Sequence, residues 1–254
     1  MKVHSLPIIG QLLHHLDFDV KNYGLQQAMM NIVLRSKTKL VIEGDDEVVQ
    51  EVLKNKPVVI VANHPYDSEE VALIASLQSR RDIYLVVNSH FLGVSPELDK
   101  HLIPVYIWHH VTDGKHKKFL GTVLHKLHPT PMYTPEEEHK RNVKSISEAS
   151  DKVKKGGVVI IFPGRRSKDG HWFSGVGHLI NGLGIKSDAY VLNAYIQGTS
   201  DLDYFRMLPF LGKCMRPITV SFAKPIKVKN IYHEDGKKIA TLMEEKYNQW
   251  IKTI

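Results

Sequence analysis

The feature that most limits what this chain can fold into is a set of short, unbroken apolar runs, each closed by polar or turn residues. They are Lys39–Glu43, Val58–Ala62, Ile83–Val87, Leu102–Ile107, Val158–Phe162, Val191–Ile196 and Ile218–Phe222. A strand with one wet face alternates polar and apolar residues, whereas a strand covered on both faces can be apolar throughout. Runs of five or six residues without alternation therefore predict strands sandwiched between helices. Helical patterns do lie between them. Asp45 or Asp46 is placed to cap a helix reaching Lys54, and Glu69–Leu77 reads as a second helix. Thr134-Pro135-Glu136-Glu137 opens a third, with Thr at the N-cap, Pro at the first helical position and Glu at the third, a capping box. That helix runs to Lys155 and stops at Gly156-Gly157. Strands alternating with helices predict an α/β fold: a mainly parallel central sheet of about seven strands flanked by helices, in a single domain.

Residues 1–38 stand apart as an N-terminal helical segment, and 39–254 form the α/β domain. Leu12, Leu13, Leu16, Leu25, Met29, Ile32 and Val33 keep helical spacing in the first part. Two readings are open: a helix or two packed on the core, or an amphipathic anchor lying in a lipid interface, which the basic residues His14, His15, Lys21, Arg35, Lys37 and Lys39 permit. The apolar stretch at Pro7-Ile8-Ile9-Gly10 is too short for a secretory signal. No apolar run approaches the roughly 18 residues that a spanning helix needs. From His109 to Tyr133 periodicity is lost, and the chain reads as a basic, His-rich excursion.

Lysine and arginine outnumber aspartate and glutamate by 34 to 27, a net charge of +7. That balance suits anionic lipid headgroups, phosphorylated cofactors or nucleic acid, and does not choose among them. Other features narrow the choice. Tyr84, Tyr106, Trp108, Tyr190 and Tyr195 fall in strand-like runs, where aromatics are core or pocket wall and not base-stacking platforms. No Gly-rich nucleotide motif occurs, and no nucleic-acid partner is expected. The 15 histidines show no metal-ligand spacing, so no metal is expected. The single cysteine, Cys214, excludes an internal disulfide, fits a reducing compartment, and reads as a buried, inert thiol.

Two segments carry candidate chemistry. In the first, the buried strand Val58–Ala62 runs into Asn63-His64-Pro65-Tyr66-Asp67-Ser68 and then a helix. Ligands of open α/β sheets bind at the carboxyl ends of strands, which is where His64 falls. A histidine there can take a proton from an alcohol when a carboxylate orients its other nitrogen. Asp67 and Glu69 compete for that role. Asp67 with Glu70 three residues later reads as a capping box, which leaves Glu69 to face His64. The second segment, Val158–Phe162 into Pro163-Gly164-Arg165-Arg166-Ser167, ends another buried strand in a Gly-containing turn with two guanidinium forks, suited to phosphate oxygens.

Asn63-His64 with a carboxylate five residues on resembles the N-H-x-x-x-x-D motif of the lysophosphatidate and glycerolipid acyltransferases. Phe162-Pro163-Gly164-Arg165-Arg166-Ser167 resembles their F-P-E-G-x-R-S motif. Leu102-Ile103-Pro104-Val105 resembles the strand of their second block, and Val191 to Thr199 and Ile218 to Ile226 resemble the closing strands. The chain departs from the pattern in four places. Glu69 stands for Asp, and the third motif is one residue short and lacks its glutamate. The second block lacks its arginine, and the proline pair of the fourth is replaced around Asn193-Ala194.

The resemblance implies an O-acyltransferase that moves a fatty acyl group from acyl-CoA or acyl carrier protein to a lipid hydroxyl, that of 1-acyl-glycerol-3-phosphate in the family, with no cofactor. His64 and Glu69 are then the catalytic pair, and Asn63, Asp67, Gly164, Arg165, Arg166 and Ser167 the substrate-binding residues. Partners would be the thioester donor, a lysophospholipid acceptor and an anionic membrane surface, with the protein peripheral on its cytoplasmic face. A different lipid or metabolite hydroxyl as acceptor, or a non-catalytic lipid- or polyanion-binding protein on the same fold, remain the alternatives.

Overall fold

A computed structural model describes residues 7–66, 68–93, 95–107, 133–164 and 171–254. Each of the seven apolar runs supplies a strand: β1 Leu40–Glu43, β2 Val58–Ala62, β3 Ile83–Asn88, β4 Leu102–Val105, β5 Val158–Ile161, β6 Tyr190–Gln197 and β7 Ile218–Phe222. A two-residue strand, β8 (Ile226–Lys227), is added, and the sheet order is β1-β7-β6-β2-β5-β3-β4 with β8 on β6. The segment from β6 to β4 is parallel throughout. β7 runs antiparallel to β6, and β1 is parallel to β7. β2 holds one edge of β6 from Tyr190 to Ala194, so β8, which pairs with Tyr190 and Val191, must continue the line of β7 along the opposite edge.

Period-two geometry sends alternate residues of each strand to opposite faces. Val58, Ile60, Ala62, Ile160 and Leu192 join one core cluster, and Val59, Val61, Val159, Ile161 and Val191 the other. Both faces are roofed by helices, which is why the runs carry no polar alternation. The first face is covered by α1 (Pro7–Tyr23), α2 (Leu25–Ser36), α3 (Glu47–Asn55) and α4 (Glu69–Ala75). A single turn, α5 (Pro96–Asp99), packs on α1. The second face is covered by α6 (Pro135–Lys154), α7 (Gly175–Leu183) and α8 (Gly236–Trp250).

The helix ends follow local chemistry. Asp46 accepts the backbone N–H groups of Val48 and Val49 at the start of α3. The capping box of α6 forms: Thr134 Oγ1 accepts from Glu137 N, and Glu137 Oε2 accepts from Thr134 N. The N-terminal stripe breaks into two helices at Gly24, whose φ of +88° is open to glycine and strained for other residues. Leu13, Leu16, Val20, Leu25, Met29 and Val33 are buried, so most of the stripe is core. Cys214 corrects one expectation: it lies on a surface turn, Leu211–Cys214, and is exposed. Among the described residues no helix is long and apolar enough to cross a membrane. Most of the His109–Tyr133 excursion falls outside the described residues.

Candidate active site

β2 and β5 are parallel neighbours with Val61 opposite Ile161. The two sequence segments singled out above therefore leave the sheet side by side, at the carboxyl edge of the parallel strands. The consequence is direct contact: the His64 and Phe162 rings lie 4.8 Å apart.

The residue before His64 is fixed on three sides. Asn63 lends its carboxamide to β6 as a strand would, donating from Nδ2 to Ile196 O at 2.8 Å and accepting Ile196 N–H at Oδ1 at 2.7 Å. Its backbone N–H donates to the Tyr247 hydroxyl at 3.1 Å, which donates in turn to Ala194 O at 2.9 Å. Burial pushes the Tyr247 phenol up, and the Asn63 N–H it accepts works the other way with smaller effect. Tyr247 is therefore a neutral strut at every working pH. The sequence reading placed Asn63 at the substrate; in the structure both ends of its amide are committed to Ile196, and it positions the turn.

The His64 ring sits between two carboxylates. Nδ1 is 3.1 Å from Glu69 Oε2, which also accepts the Tyr66 N–H at 3.1 Å. Glu69 is fully buried, and its Oε1 has no hydrogen-bond partner among the described residues. A buried carboxylate is costly unless a positive group balances it, and the imidazole, once it has taken a proton, is the positive group at hand. On the other side, Nε2 is 3.1 Å from Glu70 Oε1. A ring held by two carboxylate oxygens donates from both nitrogens only as imidazolium. To accept a proton at Nε2 it must first give up the one there to Glu70 and part from that side chain. That side chain is 19% exposed, against none for Glu69, so Glu70 is the one with room to swing away.

Two expectations need restating. The capping-box reading of Asp67 with Glu70 falls on a residue outside the described ones; among the described residues α4 opens at Glu69 with Ser68 before it. Ser68 makes no side-chain cap and donates to Asp203 Oδ2 at 2.5 Å, while Glu70 reaches His64 Nε2. The resemblance set Gly164 among the substrate-binding residues. In the structure its missing side chain makes room for Trp172, whose Cδ1 would stand 3.0 Å from a β-carbon there. Trp172 packs edge-on against Tyr247 at 5.2 Å, so the two walls of the site brace each other. Asp67, Arg165, Arg166 and Ser167 lie outside the described residues.

Sequence spacing gave no metal ligands. In space, among the described residues, His64, Glu69 and Glu70 bring one ligand atom each within 4.8 Å of one another. Such a donor set suits a divalent cation, but here both imidazole nitrogens are engaged by the carboxylates. The sequence reading missed Tyr247, Trp172 and the approach of Glu70 to His64 Nε2. Only Glu70 left a signal, as a second acid in the same first helical turn.

No family model matches the chain, and no curated protein matches it in sequence. Among solved structures, the crystal structure of the 1-acyl-sn-glycerophosphate (LPA) acyltransferase PlsC from Thermotoga maritima shares its fold. The TM-score is 0.51 at 15% sequence identity, over 96% of this chain and 96% of that one.

Proposed function

We propose that this protein is an O-acyltransferase that carries a fatty acyl group from an acyl thioester, acyl-CoA or acyl carrier protein, to a lipid hydroxyl. The observation that carries the reading is the His64–Glu69 pair: an imidazole at the carboxyl end of a parallel strand, its Nδ1 3.1 Å from a fully buried carboxylate. A binding protein has no use for an oriented base, and the fold shared with an LPA acyltransferase adds support.

In the proposed step Glu70 swings away with the proton that it shares with Nε2, and the acceptor hydroxyl takes its place against the neutral ring. His64 takes the hydroxyl proton as the oxygen attacks the thioester carbonyl. The tetrahedral intermediate collapses with the C–S bond breaking, and the thiolate leaves with the proton now on Nε2. Glu69 holds the ring and balances its transient charge. Arg166, with Arg165 and Ser167 beside it, is assigned to phosphate on the acceptor or the donor. The acceptor is 1-acyl-glycerol-3-phosphate or a related lysolipid, met by a protein peripheral on the cytoplasmic face of a membrane.

The test is release of free thiol from acyl-CoA and from acyl carrier protein against a panel of lysolipids and hydroxylated lipids. His64→Ala is expected to cut acceptor-dependent release by about 100- to 10,000-fold, with the thermal unfolding curve little changed. Turnover within a few-fold of wild type would remove His64 from the mechanism. No release with any acceptor in the panel would remove the reaction.

A further inference from the structure

The N-terminal stripe is largely spent on the core, so a membrane-facing surface has to be sought elsewhere. One short stretch concentrates apolar side chains in water. Leu202, Phe205, Phe210 and Leu211 are 63%, 52%, 55% and 42% exposed, and Leu34, near the end of α2, is 63% exposed. They belong to one surface, because α2 packs on both 3-10 turns of this stretch, Asp203–Met207 and Leu211–Cys214. The Phe210 N–H donates to Arg35 O at 3.0 Å, and the Lys37 ammonium lies 4.8 Å from the centre of the Phe210 ring.

The backbone at Phe210 is strained. Its φ is +67°, in the left-handed region that bulky L residues avoid. Burial of a ring in the core commonly compensates such strain, yet this ring stands mostly in solvent. Cations frame the patch: Lys37, Lys39, Lys213 and Arg216 are exposed, and Arg35 pairs with Asp19 at 3.2 Å. Of the acids close by, Asp203 is buried against Arg206, and Asp201 is exposed and lines the adjoining cleft. Beside the patch lies a shallow, open cleft. Its apolar wall is Ile32, Val33, Leu40, Val71, Ala72 and Ile218. Aromatic and aliphatic tips among lysines, next to an apolar cleft, match the chemistry of a bilayer interface carrying acidic headgroups.

We propose that the end of α2 and the turns from Leu202 to Leu211 form a lipid-contact patch, which sets Phe205, Phe210 and Leu211 into an anionic bilayer surface. The proposal deepens the acyltransferase reading, since it names the surface from which a lipid substrate reaches the site, and rests on that reading for its purpose alone. Its evidence is the patch itself.

The experiment is co-sedimentation with phosphatidylcholine vesicles, with and without phosphatidylglycerol, at low and moderate salt. Wild type is expected to bind the anionic vesicles and to lose affinity as salt rises. Phe210→Asn is the informative variant, because asparagine tolerates the left-handed region. It should raise the melting temperature while lowering vesicle affinity about tenfold. Adding Phe205→Ser should lower it by about tenfold more. Lys37→Glu with Lys213→Glu should weaken binding at low salt and leave little difference at high salt. Unchanged vesicle binding in the Phe210 and Phe205 variants, or no binding by wild type, overturns the proposal. So does a wild-type dimer in sedimentation equilibrium that Phe210→Asn converts to monomer with vesicle binding intact, which assigns the patch to a second copy of the chain. His64→Ala should sediment with vesicles as wild type does. A wild type that binds through the patch yet acylates nothing would sink the reaction and leave the lipid surface standing.

Discussion

At the scale of single residues, two adjacent glutamates meet opposite nitrogens of His64, and the proposed reaction gives them opposite duties. Glu69 is buried behind Nδ1, and Glu70 reaches Nε2 from a more exposed position. Glu69→Gln should therefore lower kcat by about 100-fold or more with little change in KM, because the orienting carboxylate acts on the charge that appears in the transition state. Glu70→Ala should do the reverse, lowering the acceptor KM by about three- to tenfold with kcat held, since a hydrogen-bonded competitor for Nε2 is gone. Steady-state kinetics on both variants check this, and equal losses of kcat in the two would make Glu70 a partner in the chemistry and not an occupant of its place. The distinction was only half legible in the sequence. A strand running into Asn63-His64, with acids in the first turn of the next helix, is a pattern that can be read. Which acid meets which nitrogen depends on where α4 starts, and a shift of one residue at a helix start rotates every side chain by about 100°. Tyr247, 184 positions from Asn63, left no local trace at all.

At the scale of elements, the strands were legible and their directions were not. A run such as Val58–Ala62 declares burial on both faces, and that burial is what the two core clusters show. Nothing in Ile218–Phe222 distinguishes an antiparallel strand from a parallel one. Its direction is set by the chain between β6 and β7, which turns back through two 3-10 segments without crossing the sheet. Close helix contacts were equally silent. α7 crosses α8 at Gly177 and Gly236, so tightly that a β-carbon on Gly177 would stand 1.8 Å from Gly236 O and 2.7 Å from Ala240 N, both backbone atoms. Gly177→Ala must therefore push the helices apart and is expected to cost about 2–3 kcal/mol in urea unfolding. The displacement should reach the site, because α8 carries Tyr247, which holds Asn63. Loss of activity at temperatures where the variant is still folded is the expected signature. Thr134→Ala, at the capping box of α6, makes the comparison: about 1 kcal/mol lost, with activity per folded molecule unchanged. If Gly177→Ala matched Thr134→Ala in both respects, the crossing would be looser than its geometry states.

At the scale of the whole molecule, the edge of the sheet opposite the candidate site is held by one arginine. Arg80 donates to Asp82 at 2.9 and 2.6 Å, to the carbonyls of Leu53 and Lys56 at 3.2 and 2.7 Å, and to Gly156 O. It thereby ties the end of α3, the end of α6 and the approach to β3 at a single point. Burial pushes the Asp82 carboxyl up, but the hydrogen bond and charge of Arg80 more than offset it, and the group ionises below its ordinary range. Asp17 on α1 behaves alike: burial raises it, while the Ser95 hydroxyl and the Glu97 N–H, with Lys100 and His14 nearby, bring it lower still. Folded values below the unfolded ones mean that the native state holds its charge where the unfolded chain takes up protons. The stability from both carboxylates is thus complete above about pH 4, the ordinary aspartate value, and drains away as pH falls through the folded values. Arg80→Met should cost about 2–4 kcal/mol at neutral pH, because three part-buried carbonyls lose a charged donor. Part of that cost belongs to Asp82 alone. The gap between wild type and Arg80→Met in urea midpoints should therefore narrow in acid, and Asp82→Asn should make the gap flat with pH. A gap that stays constant down to pH values where the wild type unfolds would show that Asp82 contributes nothing, and that Arg80 works through the carbonyls only.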